Sequence, residues 1–99
     1  MDELNWIEKW YESNCNGDWE HHHGIEIETL DNPGWSVKVD TSNTLKELKD
    51  SSWKLDEISD DDWFGFRVEN GLYDGAGDPG KLRFILNHFK NLVSKDDIF

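Results

Sequence analysis

The chain is poor in the residues that lock or cross-link a fold. It has one cysteine and two prolines, and only 10 Lys and Arg against 22 Asp and Glu, for a net charge of -12. A single cysteine makes no internal disulfide, which suits a reducing compartment. The scarcity of basic residues argues against partners that present negative charge, namely nucleic acid and anionic membrane surfaces. No apolar run approaches the length of a membrane span. Met1 is followed by Asp-Glu-Leu-Asn, with neither a basic nor an apolar stretch, so no signal peptide is expected and the protein is read as cytoplasmic.

Aromatic residues are plentiful: six Trp, five Phe and two Tyr in 99 residues. The mean hydropathy of -0.83 comes from charge, not from a shortage of core formers, so a folded domain is expected rather than disorder. Residues 1–99 make one domain with a small core. The acidic surface favours a basic protein or a metal ion as partner, the bland alternative being solubility alone.

Trp6, Ile7, Trp10 and Tyr11 mark one face of a helix that Asp2 can cap and that Asn14, Asn16 and Gly17 end. Ile25, Ile27 and Thr29 alternate with Glu26 and Glu28 as a half-buried strand. Asp31-Asn32-Pro33-Gly34 turns it back into Trp35, Val37 and Val39. Residues 41–50 fit a loop with a helical turn or a short extra strand. Trp53 and Leu55 open a third strand that runs to about Ile58, with Trp53 assigned to the core. Ser59 to Asp62 turn into a fourth strand, Phe64-Phe66-Val68, whose other face leaves Trp63 pointing out. Asn70-Gly71 is a strong type I′ hairpin signal before a short fifth strand. Asp78-Pro79 reads as an N-cap and first helical residue. Leu82, Ile85, Leu86, Phe89, Leu92 and Val93 form the helical stripe that follows, and Ser94 to Phe99 a tail in which Ile98 and Phe99 can fold back. The fold class is therefore α+β: an N-terminal helix, an antiparallel sheet of about five strands and a C-terminal helix, with both helices on one sheet face. The expected core is Trp6, Ile7, Trp10, Ile25, Ile27, Val37, Val39, Phe64, Phe66, Ile85, Leu86 and Phe89.

The densest chemistry lies in Asn14 to Trp35. Cys15, Asp18, Glu20, His21, His22 and His23 are all metal-capable. Only His21 and His23 would share a face of a strand, and no CxxC or HExxH completes a ligand set, so no metal or cofactor is expected. Cys15 sits near a helix C-terminus amid acids, a setting that disfavours a thiolate, and no catalytic residue is assigned. The alternative is a small metal- or thiol-dependent enzyme using Cys15, Asp18, Glu20 and His21.

The run Trp10-Tyr11, Asn14 to His21, Gly24-Ile25 and Thr29 to Trp35 resembles the immunity protein 53 family. The likeness continues through Asp62-Trp63, Gly75-Ala76-Gly77 and Leu82 to Phe89. His22-His23 depart from the family pattern. The resemblance implies a bacterial protein encoded beside a polymorphic toxin, protecting the producing cell by binding the toxin rather than by catalysis. Some relatives carry a sulfurtransferase label, but Cys15 lacks the cationic loop that such chemistry needs. A cognate protein toxin, such as a nuclease with a basic groove, is the expected partner. The expected toxin contacts are Asp18, Trp19, Glu20 and His21, the turn residues Asp31 and Asn32, and Asp61, Asp62 and Trp63. Trp19 would serve as the aromatic anchor if exposed; otherwise it lids the core.

Overall fold

A computed structural model describes residues 2–94. The elements are α1 (Glu3–Asn14), α2 (Trp19–His22), β1 (Ile25–Leu30), β2 (Gly34–Asp40), β3 (Ser51–Ser59), β4 (Asp62–Glu69), β5 (Leu72–Gly77) and α3 (Leu82–Ser94). Asp2 caps α1 as expected, its carboxylate accepting from the Leu4 amide at 3.1 Å. The five strands form one sheet in the order β1-β2-β5-β4-β3, and every neighbouring pair is antiparallel. Three pairs are hairpins. The turn between β4 and β5 has Asn70 and Gly71 at φ 53° and 84°, the left-handed pair that a type I′ turn requires. Only the β2–β5 pairing joins strands distant in sequence. The tail residues beyond Ser94, including Ile98 and Phe99, lie outside the described residues.

Residues 41–50 form neither helix nor strand. They carry the chain from the middle of the sheet to its far edge. Buried Thr41 anchors them: its hydroxyl donates to the Gly71 carbonyl and accepts from the Leu48 amide at 3.0 Å.

Period-2 alternation sends Val37, Val39, Tyr73 and Val68 to one sheet face. There they meet Ile85, Leu86, Phe89 and Val93 of α3 and Ile7 of α1. Trp6 and Trp10 pack edge-on to Phe89, with ring centroids 6.1 and 5.2 Å away. Small residues on β5 let α3 settle onto the sheet. A Cβ on Gly75 would come within 2.8 Å of Ile85 Cγ2 and of the Tyr73 hydroxyl. Tyr73 spans the core to reach His88 Nδ1 at 2.9 Å, and burial pushes its phenol pKa well up.

Four expectations change. Ile27 points to the helix face but is 42% exposed, because α1 overhangs the β1 edge without closing on it. A groove of about 370 Å³ lined by Ile7, Tyr11, Ile25 and Ile27 remains there. Trp53 is not in the core. Leu55 pairs with Gly65, so the β3 register sends Trp53 and Leu55 to the face opposite the helices. Asp78 does not cap α3 at Pro79: Pro79 and Gly80 form a turn, and the helix begins at Leu82. Finally, His21 and His22 lie not on a strand but in the short helix α2.

Gly75→Ala is therefore expected to destabilise the fold by about 1–3 kcal/mol through overpacking against Ile85 and Tyr73. Gly24→Ala, where an added methyl meets nothing within 4 Å, should not lower stability. Urea unfolding of the two variants checks the difference.

Candidate functional site

The strand directions sort the expected contact residues into two groups at opposite ends of the sheet. The register Asp40↔Leu72 and Glu69↔Leu72 gathers the end of β2, the start of β5 and the end of β4 at one end, together with the start of β1. Asp18, Trp19, Glu20 and His21 lie there. The pairs Leu30↔Gly34, Trp35↔Gly77 and Phe64↔Gly77 define the other end, which holds Asp31, Asn32, Asp61, Asp62 and Trp63. Six residues of β1 separate the two groups, roughly 20 Å.

At the first end, local hydrogen bonds explain most of the sequence. Asn16 Oδ1 accepts from the Asp18 and Trp19 amides, both at 2.9 Å, and starts α2. Glu20 reaches back to accept from the Asn16 and Gly17 amides at 3.0 and 2.8 Å, a reciprocal arrangement like a capping box. Its own backbone amide and those two hold the Glu20 carboxyl below its usual pKa, against a smaller opposing effect of desolvation. Gly17, at φ 90°, supplies the left-handed link.

Trp19 is only 3% exposed, so it is not an exposed anchor but the lid of the core. Its ring stands edge-on to Trp10 and Tyr11, and its indole N–H donates to the Ser42 carbonyl at 3.0 Å. It thereby ties α1 to the 41–50 loop. Asp18 and His21 remain exposed, with Asp18 3.7 Å from His22 Nδ1 in a solvent-exposed pair worth little.

The three histidines do not alternate along a strand, because His21 and His22 end a helical turn. They line a cleft of about 430 Å³ with Glu26, Lys38 and Asp40. His23 Nδ1 lies 2.6 Å from Asp40 Oδ2, and Asp40 Oδ1 accepts from the Ser42 amide at 2.9 Å. Burial raises the Asp40 pKa, but these partners outweigh it and hold the carboxyl low. Among the described residues, no three His, Cys, Asp or Glu side chains are placed to hold a metal ion. Cys15 Sγ turns back to the Tyr11 carbonyl at 3.3 Å. Glu20 is engaged by the Asn16 and Gly17 amides.

At the second end, two acidic turns stand open. Asp31, Asn32, Asp60 and Asp61 are exposed. Beneath them lies a buried carboxylate. Asp78 accepts from the Trp63 amide at 3.0 Å, the Gly80 amide at 2.8 Å and the Lys81 ammonium at 2.6 Å. Lys81 also reaches Asp62 at 2.7 Å, so it fastens the β3–β4 turn to the start of α3. The Trp35 indole donates to the Pro79 carbonyl at 2.9 Å from the other side. Lys81 first, then the amides, hold Asp78 down to about pKa 2 despite its burial.

Trp63, Gly65 and Arg67 share the sheet face opposite the helices with Trp53 and Leu55. Any Cβ on Gly65 would collide with the Trp53 ring, so the indole lies over β4 at the one residue that leaves it room. Trp53 and Leu55 were missed as surface candidates. The available signal was the glycine breaking the bulky run Phe64-Gly65-Phe66, which marks a close approach on the second face.

Asp78 has an ordinary pKa of 3.8 and a folded value of about 2, so it stabilises the fold above about pH 4. That contribution is lost as pH falls through 2. In urea unfolding, Asp78→Asn is expected to be less stable than the parent at pH 7. The gap should shrink steadily between pH 4 and pH 2.

No curated protein and no solved structure matches the chain. The family model described as immunity protein 53 matches residues 4–94, a stretch that takes in the helices, the whole sheet and both ends of it. The chain therefore belongs to the immunity protein 53 family.

Proposed function

We propose that this chain neutralises a cognate bacterial toxin by binding it through the acidic end of the sheet, where the β1–β2 and β3–β4 turns lie on either side of the end of β5. The reading rests on family membership. The observation that supports this location is the join between exposed acids and exposed apolar surface. Asp60 and Asp61 lie beside Trp63 and the exposed Ile58, on a hairpin whose outer face also carries Leu55 and, toward its far end, Trp53. Of the six tryptophans only Trp53 is largely exposed, at 47%. Apolar surface beside exposed acids suits a basic protein partner.

At the opposite end, Trp19 and Glu20 are already used by the fold, which leaves Asp18 and His21 as rim contacts at most. A net charge of -12 makes a nuclease with a basic substrate groove the fitting toxin, since the acidic end would occupy the place of phosphates. Such inhibition needs no catalytic group and no cofactor. It would act in the cytoplasm, where the nucleic acid lies. Among the described residues, no helix is long and apolar enough to cross a membrane.

The test uses the toxin domain encoded by the adjacent open reading frame, inactivated by mutation, in calorimetric titration. The triple variant Asp31→Asn, Asp60→Asn, Asp61→Asn removes charge and keeps shape. It should weaken binding by about 2–5 kcal/mol if the charges are desolvated, with an unchanged melting temperature. Asp18→Asn should change affinity little. Full affinity in the triple variant together with loss in Asp18→Asn would move the interface to the other end.

A further inference from the structure

β3 is the least protected element of the fold. After Ser51, every residue of it is exposed, because the helices pack over β2 and β5 and β4 alone holds it. A strand so placed presents alternate N–H and C=O groups along its free edge. Edges guarded against pairing carry proline, charge or bulges and shed large apolar side chains. β3 carries charge at Lys54, Asp56 and Glu57 but has no proline, and it keeps Trp53, Leu55 and Ile58 at 47%, 51% and 76% exposure. Its two register irregularities lie between Ser51 and Lys54 and between Glu57 and Ser59. They bracket a regular run, Lys54 to Glu57, and so confine pairing to a short window rather than prevent it.

We propose that this window accepts an extended segment of the toxin as a sixth strand. The segment would place Lys or Arg beside Asp56 and Glu57 and an apolar side chain against Trp53 and Leu55. The inference rests on the toxin-binding reading above and names the toxin segment that such binding would use.

Charge complementarity carries it. Residues 51–69 hold six acids (Asp56, Glu57, Asp60, Asp61, Asp62, Glu69) against two bases, Lys54 and Arg67. Arg67 already lies 3.5 Å from Asp74 and 3.8 Å from Glu69. The hairpin therefore offers a basic strand several acceptors, and main-chain bonds would give affinity while the side chains select the partner. Trp53 is pre-positioned over Gly65, which spares part of the ordering cost.

A second copy of this chain fits poorly, since each brings a charge of -12 and the same acidic hairpin. The β1 edge is also unpaired among the described strands and runs regularly over six residues, but Ile7, Glu8 and Tyr11 of α1 line a groove with its Ile25 and Ile27.

Amide hydrogen exchange, read residue by residue by NMR, tests the proposal on the unmodified chain with and without the same inactivated toxin domain. Alternate amides within Lys54–Glu57 should exchange rapidly in the free protein and slow by about 100-fold or more in the complex, as a closed ladder requires. Trp53→Ala should weaken binding by about 30-fold or more. Toxin binding without protection in β3, or with protection at Ile25–Leu30 instead, would overturn strand addition and leave toxin neutralisation standing. Failure of the unmodified chain to bind would remove both. Protection in β3 of the free protein, with a dimer mass in solution, would make the occupant a second copy and overturn the proposal.

Discussion

Two helices cannot cover both faces of a five-stranded sheet, and that limit shapes this molecule. Packed helices lie about 8–10 Å apart and strands about 4.8 Å, so α1 and α3 together shield little more than one face of the central strands. They settle over β2 and β5, where Gly75 allows close approach and Val37, Val39, Tyr73, Ile85 and Phe89 are buried. The opposite face and the β3 edge stay open. The charged residues, 32% of the chain, keep most of that surface in solution, and Trp53, Leu55 and Trp63 interrupt it. For the proposed toxin contact, partial coverage leaves a surface that is stable alone and open to a partner.

The open hairpin is held in place from below. Asp78 gathers the Trp63 amide, the Gly80 amide and Lys81 into one cluster, and Lys81 passes the restraint on to Asp62. This links β4, the turn before α3 and the β3–β4 turn, the last of which β-pairing alone would leave to fray. At the other end, Trp19 and Glu20 do comparable work for α2 and the 41–50 loop. Both clusters spend conspicuous residues on architecture, and at the Asp78 end the exposed Ile58 adjoins the exposed Asp60 and Asp61.

Much of this was legible in the sequence because it depends on local periodicity and turn chemistry. The alternation at Ile25–Thr29, Trp35–Val39 and Phe64–Val68, the Asn70-Gly71 turn and the 3.6-residue stripe of α3 all describe short-range constraints, and each element is present. What failed depends on long-range pairing. Alternation assigns Trp53 to a face but cannot say which face the helices cover. Asp78-Pro79 looks like a helix start until its carboxylate is seen to serve Trp63, fifteen residues earlier. Trp19 reads equally as anchor or lid until Ser42 supplies its acceptor. The separation of Asp18–His21 from Asp61–Trp63 follows from the β2–β5 pairing, which no local pattern announces.

The six indole N–H signals give the most direct measurement of the central claim, that the toxin binds at the β3–β4 side of the sheet. Titrating the labelled protein with the inactivated toxin domain should shift or broaden the Trp53 and Trp63 resonances. Those of Trp6, Trp10 and Trp19, set in or around the core between α1, α3 and the 41–50 loop, should hold still. Perturbation of Trp19 with Trp53 and Trp63 unchanged would contradict the account and return the interface to the Asp18–His21 end.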